Sequence, residues 1–156
     1  QDDWSRPDFA GWLARAEAAV ANHPGAFVAA HSLGAALAVH LATRGRDLPI
    51  AGLLLVAPAD VDRHARRVPL VASFAPLPVT PLPVPAIVVA SRDDPWMSIE
   101  RARILADMWE AAFVDIGRAG HINAESGLGV WPDGLTLLGR LRRMGGGLTT
   151  RRRAAR

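Results

Sequence analysis

The sequence lacks cysteine, lysine and long apolar runs. The lack of cysteine and of apolar runs excludes several kinds of site and a membrane-spanning helix. Without cysteine, the chain can form no disulfide, no thiolate nucleophile and no zinc–thiolate site. No stretch approaches the ~20 consecutive apolar residues that a membrane-spanning helix needs. We therefore expect a cytoplasmic protein with no membrane association.

Acidic residues are also absent from one end of the chain. All 18 basic residues are arginine, and seven of them lie in residues 140–156 without any Asp or Glu, whereas residues 1–139 hold 15 acids and 11 arginines. A basic tail can bind nucleic acid or anionic lipid. No recognition module accompanies this one, so we expect a solvated tail and no nucleic-acid partner.

The length of 156 residues fits one domain, and its 50% apolar content is typical of a globular protein. We expect this domain to cover residues 1–144, with Gly145 to Gly147 ending its last helix and a disordered Gly/Arg-rich tail at 145–156. The chain opens on Gln1 rather than Met, so we expect an upstream segment to be missing.

Short apolar strands alternate with helical patterns along the chain. A Ser5–Asp8 capping box, Gly45 and Ser98 are the predicted helix signals. Six prolines between 69 and 85 exclude a central strand and favour an extended surface connection. This alternation predicts a parallel sheet covered on both faces, which is a three-layer α/β fold. The predicted strands are 27–30, 52–57, 86–90 and 112–116, and the predicted helices are 6–22, 33–44, 60–67, 98–109 and one from 132.

Three polar residues each follow a predicted strand: Ser32, Asp94 and His121. The carboxyl ends of parallel strands share one edge of the sheet, where ligands bind. Nucleophile, acid and base in this chain order are typical of α/β-hydrolases. Ser32 lies in Ala30-His-Ser-Leu-Gly34, which differs from the G-x-S-x-G elbow pattern only in its first residue.

Each member of the trio also has a structural interpretation. Ser32 is a possible helix cap, and Asp93-Asp94-Pro95 a simple turn or, less well supported, part of a metal site. We prefer Asp94 to Asp93, and expect no metal and no cofactor. Of the other histidines, His31 is predicted to be a buried hydrogen-bonding support beside the elbow. His23, His40 and His64 lie in helix, loop or surface contexts.

The oxyanion hole is incomplete in the sequence. One donor should be the Leu33 amide, which follows Ser32 at a helix N-terminus. The second normally comes from a loop after an earlier strand, and upstream of Ser32 the sequence predicts only a helix. Because losing one donor costs roughly 10²–10³ in rate, we expect the activity of this chain to depend on an upstream segment.

Three segments resemble the small α/β-hydrolases related to retinoblastoma-binding protein 9. They are Ala-His-Ser-Leu-Gly at 30–34, Ala-Ser-Arg-Asp-Asp-Pro at 90–95, and 120–134, which begins Gly-His-Ile-Asn. The resemblance covers residues 1–144 and implies an α/β-hydrolase fold without a large lid, and ester or related acyl hydrolysis. It places the triad at Ser32, Asp94 and His121. It also implies an upstream strand and Pro-Gly-rich loop, absent here, that help form the oxyanion hole.

We thus expect a serine hydrolase that cleaves small acyl esters through an acyl-enzyme. Trp96, Ile122 and Asn123 flank the trio in sequence and are candidate pocket walls. The alternatives are a non-catalytic binding module on the same scaffold and an Arg-tail nucleic-acid binder. The sequence leaves the oligomeric state open.

Overall fold

The computed structural model describes residues 3–44 and 49–154, the last nine of these by their backbone alone. Strands and helices alternate as predicted, and most boundaries shift by a few residues. The strands are β1 Ala26–His31, β2 Ile50–Val56, β3 Ala86–Ala90 and β4 Ala112–Asp115. The helices are α1 Phe9–Ala21, α2 Leu33–Arg44, α3 Val61–His64, α4 Ile99–Met108 and α5 Pro132–Ala154.

The four strands form one parallel sheet in the order β1-β2-β3-β4. The register pairs His31 with Val56, Val56 with Val89, and Ala90 with Asp115. The carboxyl ends of all four strands therefore lie side by side, and the loops that leave them meet along one edge of the sheet.

Helices cover both faces of the sheet, which confirms the three-layer α/β architecture. Alternate residues of β2 enter different cores: Leu53 and Leu55 pack with α1, α2 and α4, whereas Leu54 and Val56 pack on the side of α5. β2 and β3 are buried almost throughout, so their continuous apolar sequences follow from coverage on both faces. β1 is less buried, and Ala29 is exposed.

The proline-rich connection contains no strand, as predicted, but it is not only a surface loop. The predicted helix at 60–67 is present as the shorter α3, and the proline-rich connection itself forms a 3₁₀ helix at Pro69–Phe74. Phe74 is fully buried and packs edge-to-face on Phe9 and Trp12 of α1. Apolar side chains between the prolines thus anchor this segment to the core.

The predicted start of α1 is wrong in detail. Its N-cap is Asp8, whose carboxylate accepts the Gly11 N–H, and the helix begins at Phe9. Ser5 instead donates to Asp3, so the Ser5–Asp8 capping box does not form. Asp8 caps because it is the residue directly before the first helical turn. The predicted stop at Gly45 lies outside the described residues, whereas the predicted cap Ser98 accepts the Arg101 N–H at the start of α4.

The last helix does not end at Gly145–Gly147, contrary to the prediction. α5 begins at Pro132 as predicted but continues to Ala154. At Gly145, a Cβ would meet the Ala51 carbonyl oxygen at 3.0 Å and the Phe27 ring at 3.1 Å. Gly145 therefore allows the helix to lie close against the sheet rather than ending it. The division into a domain of residues 1–144 and a separate tail stays a prediction.

Among the described residues, no helix combines the length and apolarity needed to span a bilayer.

Candidate active site

Ser32 occupies a strained turn between β1 and α2. Its φ is 55°, a left-handed conformation that non-glycine residues rarely adopt and that costs roughly 1–3 kcal/mol. Its amide donates to the Val56 carbonyl at 3.0 Å, and its own carbonyl accepts the Ala35 N–H at 3.0 Å. Both ends of the residue are thus held by neighbouring elements. Such a sharp strand-to-helix turn is typical of a nucleophile elbow.

His121 links the ends of β1 and β3 across the sheet edge. Its Nε2 lies 2.7 Å from Ser32 Oγ, and its Nδ1 lies 2.9 Å from both carboxylate oxygens of Asp94. An ionised carboxylate only accepts hydrogen bonds, so Nδ1 carries the proton and Nε2 accepts from the serine hydroxyl. The side chains of His121 and Asp94 are only 12% and 2% exposed, which limits competition from water.

The two adjacent acids have different partners. Asp94 faces His121 and also accepts the Trp96 N–H at 2.8 Å. Asp93 turns the other way and accepts the Ser91 hydroxyl and the Gly120 N–H, both at 2.8 Å. The Ser91 hydroxyl, and next the Gly120 amide, hold the pKa of Asp93 below its ordinary value because they stabilise its charged form. The structure thus places Asp94, the preferred candidate, beside the histidine.

His31 makes a hydrogen bond that the sequence analysis predicted without naming its partner. Its Nε2 donates to the His121 carbonyl oxygen at 2.8 Å, and the two imidazole rings lie 4.8 Å apart. The predicted hydrogen-bonding role is therefore present. The predicted burial is wrong: His31 is exposed because it ends β1, which forms an edge of the described sheet.

Leu33 is the first residue of α2, directly after Ser32. The first N–H groups of a helix have no acceptor within the helix, and the helix dipole makes this end favourable for negative charge. The Leu33 amide is therefore available to an oxyanion formed at Ser32. The described residues before β1 form α1 alone, so they include no loop at the end of an earlier strand.

A groove of about 450 Å³ opens beside His121. Trp96 and Asn123 line it, as the sequence predicted for pocket walls. Ile122 does not line this groove: it is 7% exposed and packs into the α5-side core with Leu54 and Val89. Together with Asn123 it borders a second groove of about 510 Å³.

Sequence reasoning missed the contacts that Ser91 and Asp93 make with the His121 loop. Ser91 is fully buried, and its Oγ accepts the Ala119 N–H at 2.9 Å while donating to Asp93. The only signal in the sequence was a hydroxyl and two carboxylates directly after a buried strand. Nothing in that pattern says which backbone amides they meet. Among the described residues, no cluster of three or more His, Asp or Glu side chains forms a possible metal site.

The model of the serine hydrolase family matches residues 1–140. A YdeN-like hydrolase from Pectobacterium atrosepticum is 37% identical, with a TM-score of 0.79 over 93% of this chain and 75% of its own. No curated protein matches the sequence.

More distant solved structures share the fold. The ydeN gene product of Bacillus subtilis is 19% identical, with a TM-score of 0.66 over 87% of this chain and 76% of its own. Est1E of Butyrivibrio proteoclasticus, solved with ferulic acid bound, is 17% identical, with a TM-score of 0.69 over 86% of this chain and 69% of its own. These likenesses identify the architecture as the α/β-hydrolase fold.

Proposed function

Because this chain belongs to the serine hydrolase family, we propose that it cleaves small carboxylic esters or related acyl bonds through an acyl-enzyme on Ser32. The observation that carries the proposal is the continuous hydrogen-bonded series from Ser32 Oγ through His121 to Asp94, at 2.7 and 2.9 Å. These distances lie within the range that direct proton transfer between a nucleophile and its base requires.

Acylation begins when His121 Nε2 accepts the proton of the Ser32 hydroxyl as Oγ attacks the substrate carbonyl carbon. Asp94 stabilises the imidazolium that forms and keeps its Nδ1 proton directed at the carboxylate. The Leu33 amide donates to the oxyanion of the tetrahedral intermediate. His121 then returns the proton to the leaving alcohol, which departs and leaves the acyl group on Ser32.

Deacylation repeats these steps with water as the nucleophile. His121 removes a proton from the water, the hydroxide attacks the acyl carbon, and the proton returns to Ser32 Oγ as the acid departs. The groove lined by Trp96 and Asn123 borders His121, whose Nε2 meets Ser32 Oγ, and is the proposed entry for a small acyl substrate and water. No step requires a metal or an organic cofactor.

The proposal is tested by the hydrolysis of p-nitrophenyl acetate and p-nitrophenyl butyrate. We expect Ser32→Ala and His121→Ala to reduce turnover to the background rate, because each removes a group that bonds or transfers a proton. We expect Asp94→Asn to lower kcat by about 10⁴, because the amide favours the wrong histidine tautomer.

Asp107→Ala is the matched control, because Asp107 is an exposed carboxylate on α4, on a different element from the Ser32–His121–Asp94 series. It should keep the wild-type rate. Circular dichroism confirms that each variant is folded. Turnover that persists in folded Ser32→Ala would contradict the proposal. A folded wild-type chain without turnover would favour a non-catalytic binding module.

Several finer statements stay predictions. They are the kinship with relatives of retinoblastoma-binding protein 9, the preference for esters, the cytoplasmic location and the absence of nucleic acid among the ligands. The groove supports a small-molecule substrate, since its volume of about 450 Å³ is in the range of small-ligand pockets.

A further inference from the structure

A series of hydrogen bonds joins the loop that carries His121 to the segment that carries Asp94. Two backbone hydrogen bonds extend the β3–β4 pairing: Ile116 N–H donates to Ala90 O at 3.1 Å, and Arg92 N–H donates to Gly117 O at 2.8 Å. Beyond Gly117 the backbones diverge, because Gly117 and Gly120 both have positive φ. Backbone carbonyls of 91–94 then no longer supply the acceptors.

Side-chain oxygens supply the acceptors of the next two hydrogen bonds. Ser91 Oγ accepts the Ala119 N–H at 2.9 Å, and Asp93 Oδ1 accepts the Gly120 N–H at 2.8 Å. The Ser91 hydroxyl in turn donates to the same Asp93 oxygen, so both acceptors belong to one unit. The residue that follows is His121, whose imidazole meets Asp94.

We propose that Ser91 and Asp93 are positioning residues that set where His121 stands between Ser32 and Asp94. This inference rests on the proposed function and adds a role that the Ser-His-Asp arrangement alone does not include. Asp93 and Ser91 do not line the groove beside His121 and touch none of the reacting atoms. Their effect passes through the Ala119 and Gly120 amides to the next residue.

The physical reason is that His31 and Ser126 hold the carbonyls of His121 and Ala119, whereas Ser91 and Asp93 hold the amides that precede His121. Gly120 has a φ of 52° and, without a Cβ, many accessible conformations when its amide is free. Its amide is held by a charged acceptor, and hydrogen bonds to charged groups are roughly twice as strong as neutral ones. Misplacing a catalytic group by about 1 Å can cost on the order of 10² in rate.

The test compares Asp93→Ala, Asp93→Asn and Ser91→Ala in the full chain, with Asp107→Ala as the surface control. Asp93→Ala removes the acceptor of Gly120 N–H, so we expect kcat for p-nitrophenyl butyrate to fall about 100-fold with KM unchanged. Asp93→Asn keeps an oxygen at that position and should restore most of the rate. Ser91→Ala frees the half-buried Ala119 amide and should lower kcat by about tenfold.

A second readout does not depend on turnover. The proton on His121 Nδ1 gives a far-downfield NMR resonance when it is held against Asp94. We expect this resonance in wild type and Asp93→Asn, and its loss by exchange with water in Asp93→Ala. If Asp93→Ala does not fold, Ser91→Ala and Asp93→Asn carry the comparison.

The outcomes separate the two proposals. Wild-type kcat and an intact resonance in folded Asp93→Ala would overturn the positioning role while leaving the proposed function standing. A rise in KM without a fall in kcat would also overturn it. A wild-type chain that shows no turnover would defeat the proposed function, and the resonance would still report whether Asp93 holds the loop.

Discussion

At the scale of single residues, the site depends on backbone conformations that the sequence alone does not reveal. Ser32 was identified from its place after an apolar strand and from the small residues around it. Its φ of 55° could not be predicted from the sequence. This conformation accompanies a tertiary contact with β2, because the Val56 carbonyl accepts the Ser32 N–H. The strain is thus maintained by tertiary contacts, which is common at functional sites.

This strain can be measured by comparing Ser32→Gly with Ser32→Ala. Both variants lack the hydroxyl, so neither should hydrolyse esters. Glycine adopts a positive φ without the Cβ clash that alanine suffers, although it loses more backbone entropy on folding. We expect Ser32→Gly to have a free energy of unfolding roughly 0.5–1 kcal/mol above that of Ser32→Ala in urea denaturation. Equal stabilities would mean that the turn is not strained.

The adjacent acids show a second limit of sequence reasoning. Asp93 and Asp94 follow the same strand and have the same chemistry. The preference for Asp94 agrees with the observed contact to His121. The hydrogen bonds of Asp93 to Ser91 and Gly120 depend on how two loops meet, which no local pattern encodes.

At the scale of elements, periodicity predicted the strands and helices well. α2 and β3 have the predicted boundaries, because apolar spacing and flanking turn residues agree there. α5 shows the opposite case: three consecutive glycines predicted a helix end, but the helix continues. Close packing at Gly145 against Ala51 and Phe27 is a tertiary contact that outweighs the weak intrinsic preference of glycine.

Two glycines of α5 test this explanation. A Cβ at Gly139 would meet only Arg143 Nη1, at 3.7 Å, so Gly139→Ala should raise the free energy of unfolding by about 0.8–1 kcal/mol through helix propensity. A Cβ at Gly145 would meet the Ala51 carbonyl oxygen at 3.0 Å.

We therefore expect Gly145→Ala to gain nothing or to destabilise the protein, because backbone atoms cannot move aside as a flexible side chain can. Urea denaturation of both variants beside wild type gives the comparison. Equal stabilisation by the two substitutions would show that α5 is not packed closely against the sheet at Gly145.

At the scale of the whole molecule, the parallel sheet brings the site together. Ser32, Asp94 and His121 are up to 89 residues apart in sequence, yet each follows a strand whose carboxyl end lies at the same edge. The chain order of the three residues and their positions after apolar strands therefore indicate the site from the sequence alone. The loop contacts of His31, Ser91 and Asp93 could not be inferred in this way.

The edge of the sheet at β1 bears on how complete the proposed oxyanion hole is. The chain spans 75% of the Pectobacterium hydrolase, and β1 forms one edge of the described sheet. In the described part of the chain, the Leu33 amide at the start of α2 is the one oxyanion donor that we propose. Turnover by this chain is therefore expected to be slow compared with a site that has two donors.

The most direct measurement is the labelling of the folded chain with a fluorophosphonate probe, read by intact mass. This reagent phosphonylates an activated serine and does not need completed turnover. If Ser32 is the nucleophile, we expect one adduct on wild type, located at Ser32, and none on folded Ser32→Ala. No adduct on the folded wild-type chain, or an adduct that persists in Ser32→Ala, would contradict the claim that Ser32 is the nucleophile of this serine hydrolase.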